Sequence, residues 1–214
     1  LARQVEALGL SSQVRIGYRT ATPENHVRLR ASNPEALEKA STLIREHFGA
    51  YFIGFDDVDL PRAVLEACQR QGYSLGCAES CTGGMLGASL TAVPGASAVF
   101  RGSLVTYSNA AKERLLGVDK VLFNTAGAVS EECALQMAIG AQSALECDIA
   151  VSVTGIAGPG GGSEAKPVGT VCFGWAIGDQ TITERRRFSG DRDRVRLRAF
   201  GHALHGVWRV INGH

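Results

Sequence analysis

The chain lacks a C-x-x-C pair, any apolar run long enough to cross a bilayer, and an excess of charge of either sign. Each absence removes a class of function. A membrane helix needs about 18–20 consecutive apolar residues, so no membrane is expected as a partner. Lys and Arg number 22 against 21 Asp and Glu, for a formal net charge of +1. That balance supplies no broad field for nucleic acid or an anionic lipid surface. Aromatic residues, 7% of the chain, are not interleaved with basic ones, and nucleic acid is not expected as a partner. Histidine is also scarce. His202 and His205 stand three apart on an expected helix with no further metal ligands near by in the sequence. Neither a metal nor a cofactor is therefore expected. The six cysteines, at positions 68, 77, 81, 133, 147 and 172, sit mostly among apolar residues. That pattern fits reduced, buried thiols of a cytoplasmic protein better than a disulfide frame. No signal peptide is recognisable, and the chain begins at Leu1 without methionine; it reads as a piece of a longer protein.

What is present is globular. The 214 residues are 45% hydrophobic and 20% charged, enough for one sizeable core plus a small appended module. Residues 1–55 form that module. A short helix, "LARQVEALG", ends at Gly9. Two alternating stretches, "QVRIGYR" and "HVRLRAS", read as half-buried strands around a turn-rich "TATPEN". A helix follows with Asn33 as N-cap, Pro34 in its first turn and Gly49 as its stop, then a short strand "YFIGF". The order α-β-β-α-β is a KH-like α+β outline. It lacks the two-glycine GxxG loop that clamps nucleic acid in KH modules, so the outline alone does not imply RNA binding.

Residues 56–71 are a linker and the first helix of the main domain, which occupies 72–214. There strands and helices alternate. "YSLGCAES", "AVFRGSLVTYS" and "CDIAVSVTG" are strands, and "VGTVCFGWAI" with "QTITERRRF" is a hairpin around "GD". Helices fall between the strands, one capped by Ser130 and one beginning near "RDRVR". The expected architecture is a three-layer α/β/α sandwich with a mixed sheet. Ligands of such sheets lie beyond the carboxyl ends of strands, where "AESCTGG", "VTYSNAAK" and "SVTGIAGPGGG" fall.

These blocks, with "GAVSEECA", "KPVGTV" and "FSGDRDRVR", resemble the C-terminal domain of the CinA family in order and wording from about Leu60 to the end. The resemblance implies a nicotinamide-nucleotide amidase, which converts nicotinamide mononucleotide to nicotinate mononucleotide and ammonia. It also implies a missing upstream domain with nucleotide pyrophosphatase activity, and that residues 1–55 are the KH-like middle module of long members. The alternative is a non-catalytic nucleotide-binding or regulatory domain of a competence- or damage-inducible protein.

Amide hydrolysis needs a nucleophile, a base and donors for the oxyanion. With no suitable histidine and no zinc set, a Ser–Lys pair is the natural device. Lys112, after a polar turn at a strand end, is the candidate base, although an ordinary solvated helix lysine fits the same position. The resemblance implies Ser97, in "VPGASAVF", as nucleophile, Lys112 as base and Tyr107 as assistant. Ala96 and Ser103 depart from the family's usual Ser and Gly. Ser80 competes for the nucleophile role. At the start of a glycine-opened helix it could instead bind phosphate or an oxyanion with the amides of Thr82, Gly83 and Gly84. Cys81 is a third candidate, and an ordered water a further route. The glycines after Thr154 and Gly155 allow a ligand to approach the backbone. By resemblance Thr154 borders the reacting group and Arg192 is functional, its fork suited to phosphate. Arg194, Arg196 and Arg198 are expected on the helix surface. A Gly- and Ala-rich helix, "MAIGAQSALE", fits a homo-oligomer contact.

Overall fold

The structure is a computed structural model that describes residues 1–10, 12–56 and 58–213. Its main domain is built on a five-stranded mixed sheet in the order β4-β3-β5-β6-β7. The strands are β3 (Leu75–Glu79), β4 (Phe100–Val105), β5 (Ile149–Gly155), β6 (Thr170–Ile177) and β7 (Gln180–Arg187). The first three run parallel; β6 and β7 add antiparallel as the expected hairpin. The three inner strands β3, β5 and β6 are almost wholly buried, as strands covered on both faces must be.

The covering layers follow from a period of two along each strand. Leu75 and Cys77 of β3, with Ile149, Val151 and Val153 of β5, pack toward α3 (Leu60–Gln71), α4 (Met85–Thr91) and α8 (Arg192–Ile211). Ala78 and Ala150 point the other way, toward α5 (Asn109–Leu116) and α7 (Glu131–Ala144). A further helix, α6 (Lys120–Asn124), joins the last two and was not legible as a helix in the sequence. The caps are local and strong: Asp59, Ser108, Ser130 and Asp191 each accept a backbone N–H from the first turn of α3, α5, α7 and α8. Ser130 is the cap read from the sequence.

The small module holds α1 (Ala2–Glu6), the hairpin β1 (Val14–Ala21) and β2 (Glu24–Ala31), and α2 (Pro34–Phe48). Asn33 caps α2 as expected. The expected third strand at "YFIGF" is not formed. Gly49–Tyr51 make a 3-10 turn instead, and Tyr51 leaves the module to stack on His205 of α8 at 5.1 Å between ring centroids. A KH-like three-stranded sheet is therefore absent among the described residues. The hairpin loop seats Pro23 on Gly201 of α8, where a Cβ would come within 2.1 Å of the Pro23 Cβ. Glu24 Oε1 accepts the Leu60 N–H at the start of α3.

The glycine-rich stretch of α7 packs inside the chain. A Cβ at Gly140 would lie 1.9 Å from the Leu116 carbonyl oxygen, and Ala134, Ala138 and Ala141 are buried. Its small residues let helix and sheet approach within one subunit.

Candidate active site

The strand period places two adjacent residues in different layers. Glu79 ends β3 on the side of α4. Ser80 continues the ladder by one bond, its N–H donating to Val153 O, and turns toward α5. Glu79 is fully buried. Its Oε2 accepts the N–H groups of Gly84 and Leu86 at 2.9 and 3.1 Å, and its Oε1 accepts Gly87 N–H and Ser103 Oγ–H at 2.9 and 2.7 Å. The carboxylate thus occupies the positive end of α4 and satisfies the donors that a helix start leaves over. Gly83 N–H is also engaged, donating to Ser80 O. A three-amide anion cradle at residues 82–84 is not formed, because the protein's own carboxylate fills the place of the anion. Ser103 supplies the fourth donor, and Gly87 makes room for it: a Cβ there would meet the Ser103 Cβ at 2.8 Å.

Lys112 is the largest fully buried side chain among the described residues, 1% exposed. Its Nζ lies 2.9 Å from Ser80 Oγ, 2.8 Å from Thr106 O and 3.4 Å from Tyr107 O. No carboxylate pairs with it among the described residues; the nearby Glu79 is turned away onto α4. Burial pushes the amine below the ordinary lysine range. Only the Cys133 and Cys81 thiols oppose the shift. Both are themselves pushed up by burial, Cys81 to about 12, so at neutral pH they carry no charge with which to oppose it. The three oxygens suit both forms of the amine. As an ammonium it donates to all three. As a neutral amine it has two N–H bonds for the two carbonyls and one lone pair for the Ser80 hydroxyl proton.

The turn after Ser80 is held from α8. Arg196 Nε donates to Cys81 O at 3.1 Å and Nη2 to Thr82 O at 3.0 Å, so this arginine is not a free surface residue. The Thr82 N–H has no partner among the described residues, and the Cys81 N–H approaches only its own thiol. They are adjacent donors directly after a hydroxyl, the arrangement an oxyanion site needs. Thr82 Oγ1 is buried beside them without a partner.

The rim of the site is built from three further segments. Tyr107, 65% exposed, accepts a hydrogen bond at its hydroxyl from Arg192 Nη2 at 3.3 Å, while Arg192 Nη1 donates to Gly158 O at 2.8 Å. Arg192 thereby ties the β4–α5 turn to the glycine-rich loop. On the opposite side three successive carbonyls are tied down: Ala126 O by Lys166 Nζ at 2.5 Å, Gly127 O by Ser130 Oγ at 2.9 Å and Ala128 O by Thr154 Oγ1 at 2.7 Å. Gly155 closes the floor, where a Cβ would meet Cys81 Sγ at 3.1 Å and Thr170 O at 3.0 Å.

The structure therefore gathers Ser80, Thr82, Gly83, Gly84, Tyr107, Lys112, Thr154, Gly155 and Arg192 at the carboxyl edge of the sheet. It does not bring Ser97 there. Ser97 is exposed in the 3-10 turn Ala96–Ala98, which enters β4 at its opposite end. The six residues of β4, roughly 17 Å from first to last, separate it from the amine. The residues that sequence reasoning missed are Arg196, Lys166, the Thr106 carbonyl and the helpful role of Ser103. Only Arg196 left a signal: it lies four residues after Arg192 on the same helix, one turn along the same face.

The family described as CinA C-terminal domain matches residues 57–211. A CinA-like protein of Geobacter sp. (strain M21) is 46% identical over 192 residues, covering 89% of this chain and 46% of that protein. A CinA-like protein of Petrotoga mobilis is 44% identical over 186 residues, covering 87% of this chain and 45% of that protein. The chain thus spans just under half the length of these curated relatives. The crystal structure of the competence/damage inducible protein CihA from Agrobacterium tumefaciens superposes with a TM-score of 0.69 at 40% identity. It covers 72% of this chain and 93% of that one.

Proposed function

We propose, from the premise that the chain belongs to the CinA family through its C-terminal domain, that it is an amidase with Ser80 as nucleophile and Lys112 as base. The substrate is the carboxamide of nicotinamide mononucleotide. The observation that carries this reading is the 2.9 Å contact between Ser80 Oγ and a buried Lys112 Nζ that has no acidic partner among the described residues.

In the proposed reaction neutral Lys112 takes the Ser80 hydroxyl proton while Oγ attacks the carboxamide carbon. The oxyanion is received by the Cys81 and Thr82 N–H groups. The resulting Lys112 ammonium protonates the departing nitrogen, the C–N bond breaks and ammonia leaves, so that an ester remains on Ser80. Water, deprotonated by Lys112, hydrolyses the ester to the carboxylic acid and restores the serine. The sum is amide plus water to acid plus ammonia, with the lysine unchanged. Arg192, exposed at the rim, is suited to the substrate phosphate. Cys81 is disfavoured as nucleophile because burial keeps its thiol protonated.

The test is to incubate the protein with nicotinamide mononucleotide and follow ammonia and nicotinate mononucleotide, with mass analysis of rapidly quenched samples. Turnover with a transient acyl mass on the peptide containing Ser80 is the expected result. Tight binding with no ammonia released would instead make the domain a non-catalytic nucleotide binder.

A further inference from the structure

The β1–β2 ribbon of the small module carries a feature that the net charge of the chain conceals. Arg15 lies opposite Arg30, Gly17 opposite Arg28 and Arg19 opposite His26. Opposed residues of an antiparallel pair share a face, and faces alternate at every residue. Arg15, Arg19, Arg28 and Arg30 therefore stand together on one face of the ribbon. The other face carries Val14, Ile16, Tyr18, Val27 and Leu29 toward α2, whose Ala40 and Ile44 are buried. All four arginines are exposed. None has an ion pair or hydrogen-bond partner among the described residues. Like charges set opposite one another weaken a ribbon; the carboxylate on this face, Glu24 at its turn end, is engaged by the Leu60 N–H and His26 and pairs with none of the four. Gly17 leaves a flat seat beneath the Arg28 guanidinium, 3.7 Å from Nε to the place its Cβ would take.

We propose that this face docks on the phosphate backbone of duplex nucleic acid without reading sequence. An eight-residue ribbon is about 27 Å long. A two-stranded ribbon fits the major groove, and guanidinium forks match phosphate oxygens. Arg28 and Arg30 stand about 7 Å apart along one strand, facing a duplex that bears one charge per about 1.7 Å of axis. Single strands are the weaker fit, because the face has no aromatic platform for bases; Tyr18 lies on the α2 side. A flexible acidic peptide would have to be ordered on docking, whereas the duplex is already a rigid array of charge. The proposal does not depend on the amidase reading. Ribbon and site lie in different parts of the fold, and the active-site residues are not altered in its test.

The test is fluorescence polarisation of a labelled 20-base-pair duplex with the whole chain between 50 and 200 mM salt. Four neutralised phosphates give a slope of log Kobs against log salt of about −3.6, a roughly 150-fold loss of affinity across that range. Arg15→Gln with Arg28→Gln should halve the slope to about −1.8, whereas Arg15→Lys with Arg28→Lys should keep it near −3.6, since lysine preserves the charge. The Gln variant should also melt no lower than wild type, because it relieves repulsion. Failure to bind the duplex at 50 mM salt would overturn the proposal. So would an unchanged slope in the Gln variant, or displacement by poly-glutamate as effective as by unlabelled duplex.

Discussion

Substituting the two candidate serines separately decides where the chemistry starts. Ser80→Ala removes one of three contacts to Lys112 Nζ and leaves the Thr106 and Tyr107 carbonyls in place. The loss of one such hydrogen bond costs about 1 kcal/mol, which in a chain of this length lowers Tm by about 2–4 °C. The variant therefore stays folded. Its turnover of nicotinamide mononucleotide should fall by at least about 10³-fold, equivalent to about 4 kcal/mol of barrier, with KM changed only a few-fold, because in the proposed mechanism the hydroxyl acts in the transition state. Ser97→Ala removes an exposed hydroxyl with no hydrogen bond among the described residues, and should leave Tm within about 1–2 °C and kcat within about twofold. The contrast is sharp because a proton on Ser97 would have to cross roughly 17 Å to reach the amine. Ammonia release measured enzymatically, with a thermal melt on each variant, is sufficient. If Ser97→Ala were inactive while Ser80→Ala kept a tenth or more of wild-type turnover, the mechanism would be refuted.

Five further outcomes follow from the geometry. The kcat/KM profile should rise with pH along a limb below the ordinary lysine value, as Lys112 loses its proton; Lys112→Arg, which stays charged, should abolish turnover. The sign for stability is the same. Because the folded value is depressed, the contribution of Lys112 is fully present above the unfolded lysine value, about 10.4, and is lost as pH falls through the folded value, which denaturation of wild type against Lys112→Met should show. Glu79→Gln places an amide against four donors and should cost about 3 kcal/mol in urea unfolding. Arg196→Met should lower kcat about 10- to 100-fold with KM little changed, by loosening the Cys81 and Thr82 N–H donors. Gly140→Ala drives a Cβ into the Leu116 carbonyl and should cost about 1–3 kcal/mol as overpacking, read in the same unfolding assay.

The layers, the hairpin at Gly178 and Asp179, and the caps Asn33 and Ser130 were legible because each depends on neighbours in sequence. "YFIGF" misled for the complementary reason. Its alternation matched a strand, but Tyr51 finds His205, 154 residues away. Lys112 was legible as a candidate only; that it is buried and unpaired is a property of three strand ends and two helices meeting. The pairing with Ser80 rather than Ser97 was not readable from motif order. It depends on which end of β4 each residue approaches, and one-dimensional spacing does not carry that. Arg196 was misread as a surface residue because its partners are backbone carbonyls, which leave no trace in side-chain identity.

The opposite facing of Glu79 and Ser80 has a consequence for which insertions and deletions this strand can tolerate. Losing one residue from β3 while its pairing held would carry the carboxylate into the layer of Lys112. Amine and acid would then neutralise each other in a buried ion pair, and the hydroxyl would be stranded on the wrong side of the sheet. Such a variant could retain its fold and still be inert, with no active-site residue substituted. On the proposed mechanism the length of β3 is therefore constrained in its own right, apart from the identity of any residue in it.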